Sequence, residues 1–272
     1  MAAKKQKESL DLASLSGLVL GFGGILAGLV LEKGSIKDVA QVTAAIIVLG
    51  GTAGAVLLNT PLPTFKKALS ALKIVFFERM HTPKKLIDEI VVYATKARKQ
   101  GIISLELEAV AIADPFLKKA INLAVDGTDL DDLRAMMELD IDVADHEMEE
   151  VAKVFDSGGG FAPTIGIIGA VLGLIQVMKN LANIEEVGHG IAVAFVATVY
   201  GVALANLFLL PAAGKIRARA GRDRQMRELA LNGVIGIVEG MNPKLIRTKL
   251  NAYVMMAGVE RPGNKPQPAR AA

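Results

Sequence analysis

Chemistry in this chain is bounded first by what its apolar stretches lack. No Asp, Glu, Lys or Arg occurs in residues 12–31, 39–58, 161–178 or 190–214, and each stretch is about long enough to cross a ~30 Å bilayer core as a helix. Proteins that carry ions through lipid normally expose an ionisable group to the pathway, so if this chain handles ions, a partner has to supply that group. Polar side chains deeper inside the stretches include Thr43 and Thr52 in the second, Thr164 and Gln176 in the third, and Thr198, Tyr200 and Asn206 in the fourth. A membrane threonine either bonds the carbonyl four residues back or turns its hydroxyl to a pathway, and spacing alone leaves both open. Pro163, just past the triple glycine 158–160, can start a helix, whereas Pro211 after an unbroken helical run requires a kink or a stop.

Covalent and metal chemistry have little to work with. The chain has no Cys, which excludes disulfide frameworks, thiolate metal sites and thiol catalysis. His81, His146 and His189 are too scattered for a zinc cluster, so no cofactor is expected. No nucleophile–base motif, phosphate loop or carboxylate pair falls in an apolar cleft, and the acids of residues 128–156 read as a solvated face; an enzyme is not expected. Apolar residues make up 52% and aromatics only 4%, so the apolarity comes from Ala, Val, Leu, Ile and 27 glycines, a mixture suited to close helix packing in lipid. Residues 214–272 carry 12 basic and 4 acidic side chains. The block Lys215, Arg217, Arg219, Arg222, Arg224, Arg227 could bind nucleic acid, but it directly follows an apolar run and reads as juxtamembrane charge; no nucleic-acid partner is expected.

The elements that position these groups follow from the apolar runs and their flanks. Lys4, Lys5 and Lys7 precede the first run, six basic residues follow the fourth within 13 positions, and the 179–189 loop has only Lys179. Positive-inside counting therefore places both termini, and the segment between the second and third runs, in the cytoplasm. The fold class is all-α: a polytopic membrane protein with four transmembrane helices and a helical cytoplasmic domain. Its parts are an N-terminal arm (1–11), a hairpin (12–58), a cytoplasmic domain (59–160), a second hairpin (161–214), a helical tail (215–257) and a disordered tail (258–272). Within the soluble domain, Thr64–Met80 places Phe65, Leu69, Leu72 and Phe76 on one helical face, Thr82-Pro83 and Asp114-Pro115 start helices, and Asp126-Gly127 stops one. Thr128 with Asp131 reads as a capping box for a helix of about 28 residues ending at the triple glycine, its apolar positions repeating at threes and fours. Gln225–Glu239 is a further helix and Asn242-Pro243 starts the last. Gly17/Gly21, Gly24/Gly28 and Gly169/Gly173 have the spacing that lets backbones approach, within the chain or between copies.

Gly158–Met178, GGGFAPTIGIIGAVLGLIQVM, and Ala192–Ala213, AVAFVATVYGVALANLFLLPAA, resemble the third and fourth membrane helices of the MotA/PomA family of bacterial flagellar stator proteins. Ala97–Glu106, ARKQGIISLE, resembles that family's cytoplasmic signature, as does Asp126-Gly127 before an acidic helix. The resemblance covers residues 10–254 and implies a flagellar motor stator subunit of the bacterial inner membrane, acting in motility. It implies five copies around two copies of a single-span partner, MotB or PomB, whose aspartate carries the ion. Pro163 and Pro211 match the prolines that couple ion passage to movement, and Thr198 matches a threonine facing the ion pathway. Arg98 and Glu106 match the charged pair that engages the rotor switch protein FliG. At Ala170 sodium-driven members carry threonine, so the resemblance implies a proton-driven stator. The alternative is an ExbB/TolQ-like proton-channel energiser of outer-membrane processes, which has three spans rather than four.

Overall fold

The computed structural model describes residues 8–79 and 82–256. The three lysines of the N-terminal arm and the tail from 258, expected to be disordered, lie outside the described residues. The first span is α1 (Leu12–Leu31), started by Asp11, whose carboxylate accepts from the backbone N–H groups of Ala13 and Ser14. A short α2 (Ile36–Val39) precedes the second span, which is built from α3 (Val42–Ala45), a π-helical stretch Ile46–Gly50 and α4 (Gly51–Asn59). Its continuous helix therefore begins three residues after the expected Val39. Pro61 sets the entry to α5 (Leu62–Phe76), which stops short of the expected Met80. The chain there becomes strand β2 (Phe77–Arg79), paired with β1 (Glu8–Leu10) in a two-stranded sheet that the helical periodicity did not foretell.

Next come α6 (Pro83–Gln100), a 3-10 turn Ile102–Leu105, α7 (Glu106–Ala111) and α8 (Pro115–Val125). The rest of the chain is α9 (Leu130–Lys179), α10 (Ile184–Ala203), a π-helical stretch Leu204–Leu209, α11 (Leu210–Val238) and α12 (Pro243–Met256). The residue that caps α9 is Asp129, whose carboxylate accepts from the Asp131 N–H at 3.1 Å. It displaces the expected Thr128–Asp131 box because the helix starts one residue later.

Residues group into two compact units, one from Arg79–Asp145 with the chain from Ala220, the other from Glu8–Glu78 with His146–Arg219. In the second of these units α5 and residues 146–160 pack with the apolar helices. The first unit has a core of Ile90, Leu117, Leu133, Met137, Leu229 and Ile246, large side chains whose full burial is worth ~1.5–3 kcal/mol each. Gly127 and Gly240, at φ of 76° and 67°, let α8 and α11 close their last carbonyls: Thr128 N–H donates to Leu123 O at 3.1 Å and Met241 N–H to Gly236 O at 3.0 Å. In the second unit one core joins Val56 of α4, Ala68 and Val75 of α5, Phe155 of α9 and Ile216 of α11. A smaller one joins Ala44, Val48, Val196 and Ala197.

The largest departure from expectation is α9, one helix of 50 residues where a stop at the triple glycine was expected. Packing replaces the missing propensity there. A methyl group at Gly158 would meet Leu209 at 3.2 Å and one at Gly159 would meet Leu210 at 2.5 Å, so these glycines are close-approach points within the helix and not its end. Pro163 removes the bond to the carbonyl of Gly159 without ending the helix.

Candidate functional site

The third and fourth apolar runs form a hairpin whose two helices interlock through small residues. A Cβ on Gly166 would fall 2.9 Å from Ala197 O, one on Gly169 2.7 Å from Ala197 Cβ, and one on Gly173 2.7 Å from Gly190 O. From the other side, a Cβ on Gly190 would lie 2.9 Å from Gly173 O, and one on Gly201 would collide with Ala162 O. Backbone therefore meets backbone at Gly166, Gly173, Gly190 and Gly201, which no side chain larger than glycine's permits there, while Gly169 packs on the Ala197 methyl. The Gly169/Gly173 spacing thus serves packing inside the chain. In α1 the outcome differs: Gly17, Gly24 and Gly28 have nothing within 4 Å, and only Gly21 meets a side chain, Leu207 at 3.2 Å.

Pro163, Ala170 and Thr198 are half-buried in this hairpin, and Pro211 is exposed on its far side in the single chain. Thr198 Oγ1 donates to Ala194 O at 3.2 Å, Thr164 Oγ1 to Phe161 O at 2.8 Å, and Asn206 Nδ2 to Val202 O at 2.9 Å. These polar groups are satisfied by their own helices, as isolated hydroxyls and amides in an apolar setting must be. Thr52 differs, being 5% exposed with no partner for its hydroxyl. Pro211 does not stop the helix, which runs on through it. The π-helical stretch Leu204–Leu209 lies directly before it, and the wider turn absorbs the bond to Leu207 that proline cannot make.

Two side chains tether the first hairpin, one at the turn between its spans and one at its start. The Tyr200 hydroxyl donates to Val39 O at 2.5 Å and accepts from the Gln41 N–H at 3.3 Å, tying α10 to the break between α2 and α3. Asp11, 7% exposed, gathers Lys215 Nζ and Arg219 Nη2, both at 2.5 Å from Oδ2. Its own N–H donates to Phe76 O at 2.8 Å, and Arg219 Nη1 donates to Phe77 O. The Lys215 hydrogen bond, with help from the Ser14 N–H and Arg219, holds the Asp11 carboxyl far below the usual carboxylate range against the opposing effect of burial. A lone Asp directly before a charge-free run is the available sequence signal, and it says nothing of partners two hundred residues on.

The basic block after the fourth run is largely spoken for by the chain's own acids. Arg217 bonds Glu149 at 2.8 Å and Asp156 at 2.5 Å, an arrangement that lowers the Glu149 pKa through the Arg217 hydrogen bond. Arg224 meets Asp145 at 2.9 Å, Glu228 at 3.0 Å and Asp142 at 3.1 Å, while Arg227 lies 5.6 Å over the Phe116 ring.

Arg98 and Glu106 flank the Gly101 bend in the first unit, one in the last turn of α6 and the other opening α7. Both are exposed, and neither has a hydrogen-bond or ion-pair partner among the described residues. Their neighbours Lys96 and Glu108 are paired with each other at 2.7 Å. Arg98 borders a cleft of about 620 Å³ that Ala94, Ile102, Asp129, Glu239 and Met241 also line. No group of three or more His, Asp or Glu among the described residues is placed to hold a metal ion.

Residues 108–229 match the MotA/TolQ/ExbB proton channel family, and residues 15–101 match the family Motility protein A N-terminal. The chain is 35% identical over 245 residues to the chemotaxis protein PomA of Vibrio alginolyticus, covering 90% of this chain and 96% of that one. It is 32% identical over 246 residues to Motility protein A of Bacillus subtilis, covering 90% and 91%. The chain belongs to the MotA/PomA family. The flagellar MotAB stator complex from Bacillus subtilis has a chain of the same fold, with a TM-score of 0.84 and 32% identity over 92% of this chain and 100% of that one. Membership of the MotA/PomA family rather than the ExbB/TolQ branch is decided by the N-terminal match, which covers the first hairpin. Among the described residues four helices are long and apolar enough to cross a membrane, so this MotA/PomA member is a multi-pass inner-membrane protein.

Proposed function

We propose that this MotA/PomA-family chain is a flagellar stator subunit that, with a MotB-like single-span partner, forms an ion channel and converts ion-motive force into torque on the rotor. The observation that carries the reading is the interlocked α9/α10 hairpin, whose runs 161–178 and 190–203 form a small-residue wall with no Asp, Glu, Lys or Arg. Such a wall suits a partner helix that brings the ion-carrying aspartate. Protonating that aspartate removes an intramembrane charge and changes its preferred position against the wall. A pentamer of this chain would surround the partner dimer, with both termini cytoplasmic. Pro163 and Pro211 would pass the rearrangement to the soluble part, where Arg98 and Glu106 engage FliG.

A proton is the ion this wall favours. Sodium needs several oxygen ligands after shedding its water, Ala170 offers none, and Thr198 supplies a single hydroxyl. In a strain lacking its own stator, this chain with its partner should restore swimming that persists when sodium is replaced by potassium and collapses with a protonophore. Swimming that scales with external sodium would overturn the proton assignment, and failure to restore any swimming would overturn the stator reading.

A further inference from the structure

Helix α5 joins the ends of the first two spans. Its N-terminus follows α4 after only Thr60 and Pro61. Its last turn is bound to the start of α1: the Asp11 N–H donates to Phe76 O at 2.8 Å, and β2 beyond it pairs with β1, directly before Asp11. Because the two spans form a hairpin, the end of α4 and the start of α1 lie at the same boundary of the bilayer. A helix of 15 residues, ~22 Å long, with both ends fixed at that boundary has to run along it. Its two faces differ in kind. Ala68, Ala71 and Val75 are buried against Val56, Phe155 and Ile216. The opposite face, at positions 62, 66, 69 and 73, alternates Leu62 and Leu69, 56% and 54% exposed, with the exposed Lys66 and Lys73. Lys67, off that face, is paired with Glu147 at 2.6 Å, whereas neither Lys66 nor Lys73 has an ion-pair partner among the described residues.

We propose that the exposed face of α5 is a binding site for anionic phospholipid headgroups, with Leu62 and Leu69 entering the acyl boundary and Lys66 and Lys73 meeting the phosphates. Place and composition select this occupant together. Leucines on a face fixed at the bilayer boundary are covered by lipid, and lysines between them extend their ammonium groups to headgroup level. A nucleic acid or a free phosphate would use the lysines and leave the leucines in water. The helix carries no Asp or Glu, so no acid of its own offsets its attraction to an anionic leaflet. The site goes beyond the stator reading and needs only the first two spans, so it stands or falls apart from that reading.

The test uses the full chain with its single-span partner, purified in a neutral detergent, and reads the thermal midpoint on adding phosphatidylglycerol, phosphatidylcholine or inorganic phosphate. Phosphatidylglycerol is expected to raise the midpoint by ~3 °C or more, while phosphatidylcholine and phosphate leave it unchanged. Lys66→Gln combined with Lys73→Gln removes at least about half of that rise. Lys66→Arg with Lys73→Arg keeps it, and so does Lys67→Gln, because Lys67 is committed to Glu147. The chain has no native cysteine, so Leu69→Cys supplies a single thiol for a fluorophore. In phosphatidylglycerol vesicles, lipids with a nitroxide near the headgroup are expected to quench that fluorophore at least about twofold more than one at Lys244→Cys, beyond the far end of α11. Equal stabilisation by phosphatidylcholine, a rise with phosphate alone, an undiminished rise in the double Gln variant, or equal quenching at the two positions would each overturn the site. A changed oligomer mass in the double Gln variant would overturn it too, and would assign the face to a contact between copies of this chain.

Discussion

Glycines at four-residue spacing occur in both α1 and α9, and they do opposite things. In α9 they bring the backbone of α10 to within a methyl group's width, while in α1 Gly17, Gly24 and Gly28 face open space and no residue of the helix is buried in the single chain. A small-residue pattern removes an obstacle to close approach but does not name what approaches. The decision lies with the facing helix, and only α10 offers Gly190, Ala194, Ala197 and Gly201 in register. The first span meets the chain through Gly21 against Leu207 and through ties outside its glycine stripe. Asp11 ties one end to Lys215 and Arg219, and Tyr200 ties the chain just before the second span.

The sharpest way to break this comparison is to add the same methyl group to both. Gly201→Ala places a Cβ on the Ala162 carbonyl, and because backbone cannot rotate away, overpacking should cost ~3 kcal/mol and cut accumulation in the membrane fraction about tenfold. Gly24→Ala should change thermal stability in detergent by less than ~0.5 kcal/mol. Equal losses in the two would show that α1 is packed as tightly as α9.

Next in size is the tether. Asp11→Ala leaves Lys215 and Arg219 without their shared carboxylate and should cost ~3 kcal/mol, read as a lowered thermal midpoint. Because the folded carboxyl titrates well below its unfolded value near 4, its contribution is fully present above that pH. It is lost only as the solution is acidified through the folded value. The difference between wild type and Asp11→Ala should thus be flat from about pH 5 to 8 and shrink only in strong acid; a difference that fades near neutrality would mean that Asp11 is not paired in this way. The smallest effect is expected at Arg217, whose pairs with Glu149 and Asp156 are 37–40% exposed. Arg217→Gln should cost no more than ~1 kcal/mol and become milder in salt, which would mark the buried tether at Asp11 as different in kind.

How much was legible can be followed residue by residue. The first span could be read to its ends, because absence of charge over twenty residues is a local property that the sequence displays directly. Asp114-Pro115 and Asp126-Gly127 were legible for the same reason, since caps and left-handed turns depend on the residue that occupies them. The continuation of α9 through three glycines and a proline was not. Helix propensity is a weak prior of ~1 kcal/mol per glycine, and contacts with Leu209 and Leu210, fifty residues away in the chain, override it. The π-helical stretch before Pro211 escaped notice as well, because a widened turn leaves no residue type behind. At Arg98 and Glu106, chain position beside Gly101 was plain, but that both charges stay uncommitted while their neighbours pair depended on the folded geometry.

By itself, then, the sequence determined that four charge-free segments must be helical, that no carboxylate of this chain can carry an ion through them, and that the basic residues cluster beyond the last of them. Those are consequences of solvation and of chain-local hydrogen bonding, which act residue by residue. Tertiary structure alone decided which glycines touch another helix, that Asp11 finds Lys215 and Arg219 some 200 residues on, and that Leu107 faces outward while Leu105 faces the core. Each of these depends on which surfaces meet, and close packing between distant segments is set by their shapes together rather than by any pattern that one of them carries.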